Sequence, residues 1–237
     1  MKLHIEKKKL HLRHVWRIAR GATEFKEYWF VRLEHEGISG FGEAAHNERY
    51  GESLDSIRDF LELARPLLAA CTPHHFLPVK ESIHALATGQ DAAKAALDLA
   101  LLDWVGKKYA LPVHALFGLD PRTCPLSSYS IGIDSIEAVQ QKVREAGDFP
   151  ILKIKLGGEQ DEETMRALRE VTQKTVRVDA NEGWHDRQLA LEKIEWLAGL
   201  GVEFVEQPMP AGRLDDLIWL RQRSPLPLVA DEDVKTA

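Results

Sequence analysis

The stretch that decides the fold is residues 151–184, ILKIKLGGEQDEETMRALREVTQKTVRVDANEGW. It opens on a short apolar run, Ile151–Leu156, and closes on a second, Val176–Asp179, with an amphipathic helical stretch near 161–173 between them. Two short apolar strands joined by a helix form a βαβ unit, whose strands must run parallel. The same rhythm continues on both sides. Strands are expected at Leu126–Ile133, Phe204–Glu206 and Leu228–Asp231, and helices near 135–146, 187–199 and 213–222. Asp134 followed by Glu137 reads as a helix-start capping pair.

Parallel βα units build either an open doubly wound sheet or a (β/α) barrel. A dinucleotide-binding sheet carries a glycine-rich turn after its first strand, and Gly157-Gly158 lacks the third glycine. A barrel instead places functional residues at the C-terminal ends of several strands. Here four successive strands end in charged side chains. They are Lys153 and Lys155, then Asp179 with Asn181 after it, then Glu206, then Asp231 followed by Glu232 and Asp233.

Residues two apart on a strand share a face, so Lys153 and Lys155 project together. Asp179, Glu206 and Asp231 recur at intervals of 27 and 25 residues, about one βα unit each, and would ring the same mouth. Three facing carboxylates repel, and burying them uncompensated costs several kcal/mol. A hard divalent cation removes the conflict. All-oxygen ligation selects Mg2+, with Mn2+ as the alternative, over zinc. A single acidic residue after a strand is commonly a cap, and the joint pattern is what carries the functional reading. Glu182, Asp186, Glu232 and Asp233 read as caps or solvated loop charges, and Trp184 and Trp219 as packing residues. The ten histidines show no ligand spacing along the chain and receive no catalytic role.

The first fifty residues read as a small antiparallel sheet. Leu3, Ile5, Leu10 and Leu12 alternate with polar residues, Tyr28–Glu34 is aromatic and β-branched, Glu36-Gly37 makes a turn, and Ile38–Ala44 follows. Helical spacing over Ser53–Ala69 predicts a helix that Pro66 kinks or ends early. Asp91–Tyr109 is apolar around most of its circumference and is expected to be buried on several sides.

At 237 residues, 44% hydrophobic and 29% charged, the composition is that of an ordinary globular chain of one large or two modest domains. A net charge of −6 with no basic segment argues against a nucleic-acid partner. Two cysteines, Cys71 and Cys124, make neither a disulfide framework nor a zinc spacing, and are read as reduced thiols of a cytoplasmic protein. The N-terminus lacks the apolar core of a signal peptide, and no run of about 18 apolar residues suggests a membrane span.

The Lys-x-Lys pair followed by Asp, Glu and Asp at successive strand ends resembles the muconate-lactonizing branch of the enolase superfamily, over essentially the whole chain. GFGEAA and RYGES resemble that family's capping domain, AALDLALLDWVGKKYALPVHALFG its long helix and barrel entry, and VDANEGW, EQP and ADE its metal-bearing strand ends. The resemblance implies an α/β fold. An N-terminal α+β capping domain (1–118) would sit with a modified (β/α)7β, TIM-like barrel (119–237), of which about the first five strands lie in this chain. It implies Asp179, Glu206 and Asp231 as metal ligands, Lys155 as general base, Lys153 as its partner on the substrate carboxylate, and Asn181 as a polar contact near substrate. A neighbouring ammonium and a cation would both disfavour the charged form of Lys155. RIARG and RYGES further resemble the cap of dipeptide epimerases acting on Ala–Glu, with Arg20 and Tyr50 as substrate contacts.

The activity so implied is Mg2+-dependent epimerisation of a small carboxylate or dipeptide through an enediolate, in a homo-oligomer. o-Succinylbenzoate synthase or a cycloisomerase of the same branch, and an inactive truncated metal-binding or partner-binding domain, are the alternatives. Family epimerases carry a second lysine on the sixth strand and an acidic motif on the last. With Ala237 falling shortly after the fifth strand, those elements are expected in the remainder of a longer protein or in a second chain.

Overall fold

The computed structural model describes residues 1–234. The chain divides into two units. The first comprises Met1–Leu12 and Phe25–Cys124, and the second Arg13–Glu24 and the chain from Pro125 onward.

In the first unit, β1 (Lys2–Ile18), β2 (Gly21–His35) and β3 (Ile38–Ala44) form a sheet in that order, the tip of the β1–β2 hairpin belonging to the second unit. β2 and β3 are antiparallel and joined by Glu36-Gly37, both in the left-handed region at φ 49° and 74°. That is the two-residue turn whose twist matches flanking strands. Helices α1 (Leu54–Ala70), α2 (Phe76–His84), α3 (Asp91–Tyr109) and the short α4 (Val113–Leu116) follow. Ser53 caps α1 in a reciprocal box with Ser56. Pro66 does not end α1, which runs on to Ala70. Pro66 is exposed, so the Glu62 carbonyl that its missing N–H leaves unpaired faces water rather than the core.

Period two directs Val31 and Leu33 inward, and their partners across the ladder are Gly42 and Gly40. Those glycines let α3 lie directly on the sheet. A Cβ at Gly42 would fall 1.9 Å from the Ala96 carbonyl oxygen, and one at Gly40 2.0 Å from that of Ala100. Ala96, Ala100 and Trp104 are spaced one turn apart, so a single helix ridge makes the contact. Gly42→Ala is therefore expected to cost about 3 kcal/mol or more, because backbone rather than a pliable side chain must yield. An unchanged urea midpoint would contradict this packing.

In the second unit, β4 (Ser128–Ile131), β5 (Ile151–Lys155), β6 (Thr175–Asp179), β7 (Val202–Glu206) and β8 (Leu228–Val229) are all parallel and lie side by side in sequence order. Helices α5 (Ile136–Glu145), α6 (Asp161–Val171), α7 (Arg187–Gly199) and α8 (Leu214–Arg221) make the crossovers. An order with no reversal is the winding of a (β/α) barrel; a doubly wound sheet turns back on itself. Leu152 and Ile154 share a core with Val139, Met165 and Leu168 of the helices, which leaves Lys153 and Lys155 for the opposite face of β5.

Two local expectations are corrected. Ser135, not Asp134, caps α5, accepting from the Ala138 N–H; Asp134 accepts from the Ser135 N–H and pairs with Lys142 at 2.8 Å. β8 stops at Val229, so Asp231 stands in the loop just beyond the strand. No helix among the described residues is long and apolar enough to cross a membrane.

Candidate active site

Strand register brings the charged residues to one level. Lys155 lies opposite Asp179, Asp179 opposite Glu206, and Glu206 opposite Val229, two residues short of Asp231. Lys155 Nζ donates to Asp179 Oδ2 at 2.5 Å. Lys153 Nζ donates to Glu206 Oε1 at 2.7 Å and stands 3.0 Å from Asp179 Oδ2. The Asp179 side chain is fully buried, that of Glu206 12% exposed, and Asp231 is open to solvent.

The electrostatics follow from this crowding. Burial pushes the Asp179 carboxyl up, but the hydrogen bond from Lys155 and the charges of both lysines overcome it and hold the group below its ordinary range. Glu206 is held above its range by burial, with the Asp179 charge adding and Lys153 opposing. Asp231, although its side chain reaches solvent, is raised by partial desolvation and by the charges of Glu232 and Asp179, against both lysines. For Lys153 burial pulls down, and the hydrogen bond to Glu206 with the Asp179 charge carries it above the ordinary lysine value. The two lysines thus keep Asp179 ionised, while burial first, and neighbouring negative charge after it, leave Glu206 and Asp231 in want of a further cation.

Asp179, Glu206 and Asp231 each offer an oxygen within 4.8 Å of the others. Three carboxylate oxygens, two of them withdrawn from water and one open on the solvent side, fit a hard divalent cation that keeps positions for water and substrate. The residues expected to form this centre are therefore all brought together.

Its loops are fastened by residues that sequence reasoning places differently. Glu182 and Glu232 are not solvated charges: they are 8% and 2% exposed, and Arg20 Nη1 donates to both, at 2.7 and 2.6 Å, and to the Asn181 carbonyl at 3.1 Å. Arg20, from the β1–β2 turn, thereby ties the loop that follows Asp179 to the loop bearing Asp231. Its guanidinium is held above its ordinary value, the pull of burial being outweighed by Glu232 and Glu182. The pairings span 162 and 212 residues, so no local pattern announces them.

Gln207 is the other fastening residue. It is fully buried with φ 36°; its Oε1 accepts from the Asp231 and Asp233 N–H groups, and its Nε2 donates to Asp233 Oδ2. Asp161 closes the loop after β5, accepting from the Gly157 and Gly158 N–H groups, from Trp184 Nε1 and from Lys193. A carboxylate thus occupies the glycine amides that a dinucleotide fold would offer to phosphate. Asp186 is the cap of α7, as expected.

Asn181 is buried; its N–H donates to Asp179 Oδ1, its Nδ2 to Glu232 Oε1 at 3.4 Å, and its Oδ1 has no protein partner. Tyr50 belongs to the first unit, where it ends the 3-10 turn Glu48–Tyr50 and is 47% exposed.

Arg20→Ala leaves the buried Glu232 without its cation. It is expected to lower stability by about 1.5–3 kcal/mol, the range for hydrogen bonds to charged groups. A thermal midpoint equal to wild type would show that Arg20 does not fasten the loops.

Residues 2–118 match the mandelate racemase / muconate lactonizing enzyme N-terminal domain, and residues 134–237 match the enolase C-terminal domain-like family. The chain is 39% identical over 236 residues to an L-Ala-D/L-Glu epimerase of Bacteroides thetaiotaomicron, covering 99% of this chain and 61% of that protein. It is 41% identical to an L-Ala-D/L-amino acid epimerase of Pedosphaera parvula, covering 96% of this chain and 67% of the relative. The crystal structure of a dipeptide epimerase from Cytophaga hutchinsonii, complexed with Mg and the dipeptide D-Ala-L-Val, superposes with a TM-score of 0.86 at 26% identity, over 97% of this chain and 64% of that one. The chain thus spans about two thirds of the length of the relatives it matches. With a capping α+β unit, a parallel α/β unit, and lysines and carboxylates converging at its strand ends, the chain belongs to the mandelate racemase / muconate lactonizing enzyme family, in the muconate-lactonizing branch of the enolase superfamily.

Proposed function

We propose that this protein epimerises a dipeptide of the L-Ala-D/L-Glu kind by removing the proton α to its terminal carboxylate. The observation that carries the reading is the meeting of Lys155 and Lys153 with three carboxylates at the C-terminal ends of adjacent strands, two on the strands and Asp231 just beyond one. Asp179, Glu206 and Asp231 would hold Mg2+, or Mn2+, which has the same oxygen preference. When bound, the cation stabilises the negative charge that gathers on the substrate carboxylate as the α-proton leaves. Lys155, hydrogen-bonded to Asp179, is the group that takes the proton. Lys153 holds the substrate carboxylate, and the free Asn181 Oδ1 accepts from a substrate N–H. Arg20 keeps Nη1 on its two glutamates and offers its remaining N–H groups to a substrate side-chain carboxylate.

The similarity to named epimerases favours epimerisation over the elimination or cycloisomerisation that the same residues can support. Unpaired Cys71 and Cys124 fit a reducing, cytoplasmic compartment. Incubation with L-Ala-L-Glu, L-Ala-L-Leu and an N-succinyl amino acid, each followed by chiral chromatography, tests the proposal. Mg2+-dependent inversion of Ala–Glu ahead of the other two is expected. No inversion of any of them by Mg2+-bound protein would sink it.

A further inference from the structure

The first unit holds a second convergence of ligand atoms, in a place where the sequence shows no spacing because His35 and His74 stand 39 residues apart. His35 ends β2, Glu36 occupies the hairpin turn, and His74 lies in the 3-10 turn Pro73–His75 ahead of α2. One ligand atom from each falls within 4.8 Å of the others. His74 Nε2 is 3.5 Å and His35 Nε2 3.9 Å from the same Glu36 oxygen, Oε1. The edge of a tetrahedron with metal–nitrogen and metal–oxygen bonds of about 2.0–2.1 Å is about 3.4 Å. The two nitrogen–oxygen separations are thus near the spacing that a metal would impose.

The surroundings hold these side chains in place. Tyr109 Oη is 3.0 Å from His74 Nδ1, the outer hydrogen bond that fixes an imidazole with its Nε2 presented. Trp104 Nε1 donates to the His35 carbonyl at 3.0 Å, and its ring lies against both imidazoles, with centroids 5.7 and 5.0 Å away. Lys108 donates to Glu36 Oε2 at 2.6 Å, which leaves Oε1 turned to the histidines. That hydrogen bond, with a further one from His74, holds the Glu36 carboxyl below its ordinary range and so ionised. Glu36 itself sits at φ 49°, a conformation that glycine or asparagine adopts more readily than glutamate.

We propose that His35, Glu36 and His74 form a second metal site in the capping unit, separate from the three-carboxylate centre and selective for a first-row transition metal such as Zn2+. Two imidazole nitrogens and one carboxylate oxygen suit that class, whereas the all-oxygen centre suits Mg2+. Three protein ligands on a half-exposed surface leave a fourth position for water. Bound metal would clip the β2–β3 turn to the segment entering α2.

The test is calorimetric titration of the metal-free protein with Zn2+ in the presence of saturating Mg2+. One equivalent is expected to bind and to raise the thermal midpoint, with Co2+ in its place giving a tetrahedral visible spectrum. His74→Ala should weaken Zn2+ binding by at least tenfold, and Tyr109→Phe by about tenfold through loss of the orienting hydrogen bond. Asp231→Asn, which alters the exposed carboxylate of the other centre, should leave that equivalent intact. Should His74→Ala not fold, Glu36→Gln, whose carboxyl is largely exposed, removes the oxygen ligand alone and carries the same expectation. No Zn2+ binding, Zn2+ binding unaffected by His74→Ala or Glu36→Gln, or loss of the equivalent in Asp231→Asn would overturn the proposal.

Discussion

Replacing Lys155 by alanine is expected to slow removal of the substrate α-proton by about 10²–10⁴-fold, the range over which a positioned general base contributes. That is about 3–5 kcal/mol of transition-state stabilisation. The side chain is on the strand face that carries Lys153 and is within 2.5 Å of Asp179. Asp179 keeps Lys153 at 3.0 Å, so the carboxylate is not stranded when Lys155 goes. Metal affinity should therefore persist, or rise as a competing ammonium is removed. The diagnostic pattern is retained Mg2+ binding by calorimetry with collapsed exchange. A variant that exchanges within about threefold of wild type would show that another group is the base.

Asp179→Asn should lose both metal and fold stability. Asp179 is fully buried and is approached by both lysines, so its charge is what allows two ammonium groups to sit side by side beneath the loops. Removing one member of a buried ionic set leaves the others uncompensated, at about 3–5 kcal/mol. The amide keeps an oxygen for the Asn181 N–H, so the loss reads charge and not the loop hydrogen bond. Mg2+ affinity should fall by at least about tenfold, and exchange by a factor of about 10³, equivalent to several kcal/mol of charge stabilisation. Wild-type denaturant resistance and metal affinity would together argue that Asp179 is no ligand.

The candidate site of the second unit is legible in the sequence because its charged residues recur periodically. Lys153 and Lys155 sit two apart on a strand, and Asp179, Glu206 and Asp231 recur once per βα unit. The run that is apolar on nearly all sides likewise gives α3 its observed bounds, Asp91–Tyr109. What escapes has no local period. Glu182 and Glu232 have the composition of loop charges, and only burial with Arg20 from a distant turn makes them structural. Gln207 works through side-chain hydrogen bonds to backbone some 24 residues ahead. Helix α2 is nine residues long, with only Val79 and Ile83 buried, too short for its apolar spacing to stand out. Pro66 misleads because a proline's cost in a helix depends on which side it faces, and that is known only once the helix is packed.

The central claim is that Lys155 removes an α-proton with help from the three-carboxylate centre. The most direct test is deuterium uptake from D2O into the glutamate α-position of L-Ala-L-Glu, followed by proton NMR with and without Mg2+. Loss of that α-proton signal with Mg2+, and its persistence once the metal is chelated, is the result predicted. Full retention of the signal in the presence of folded, Mg2+-bound protein would contradict it.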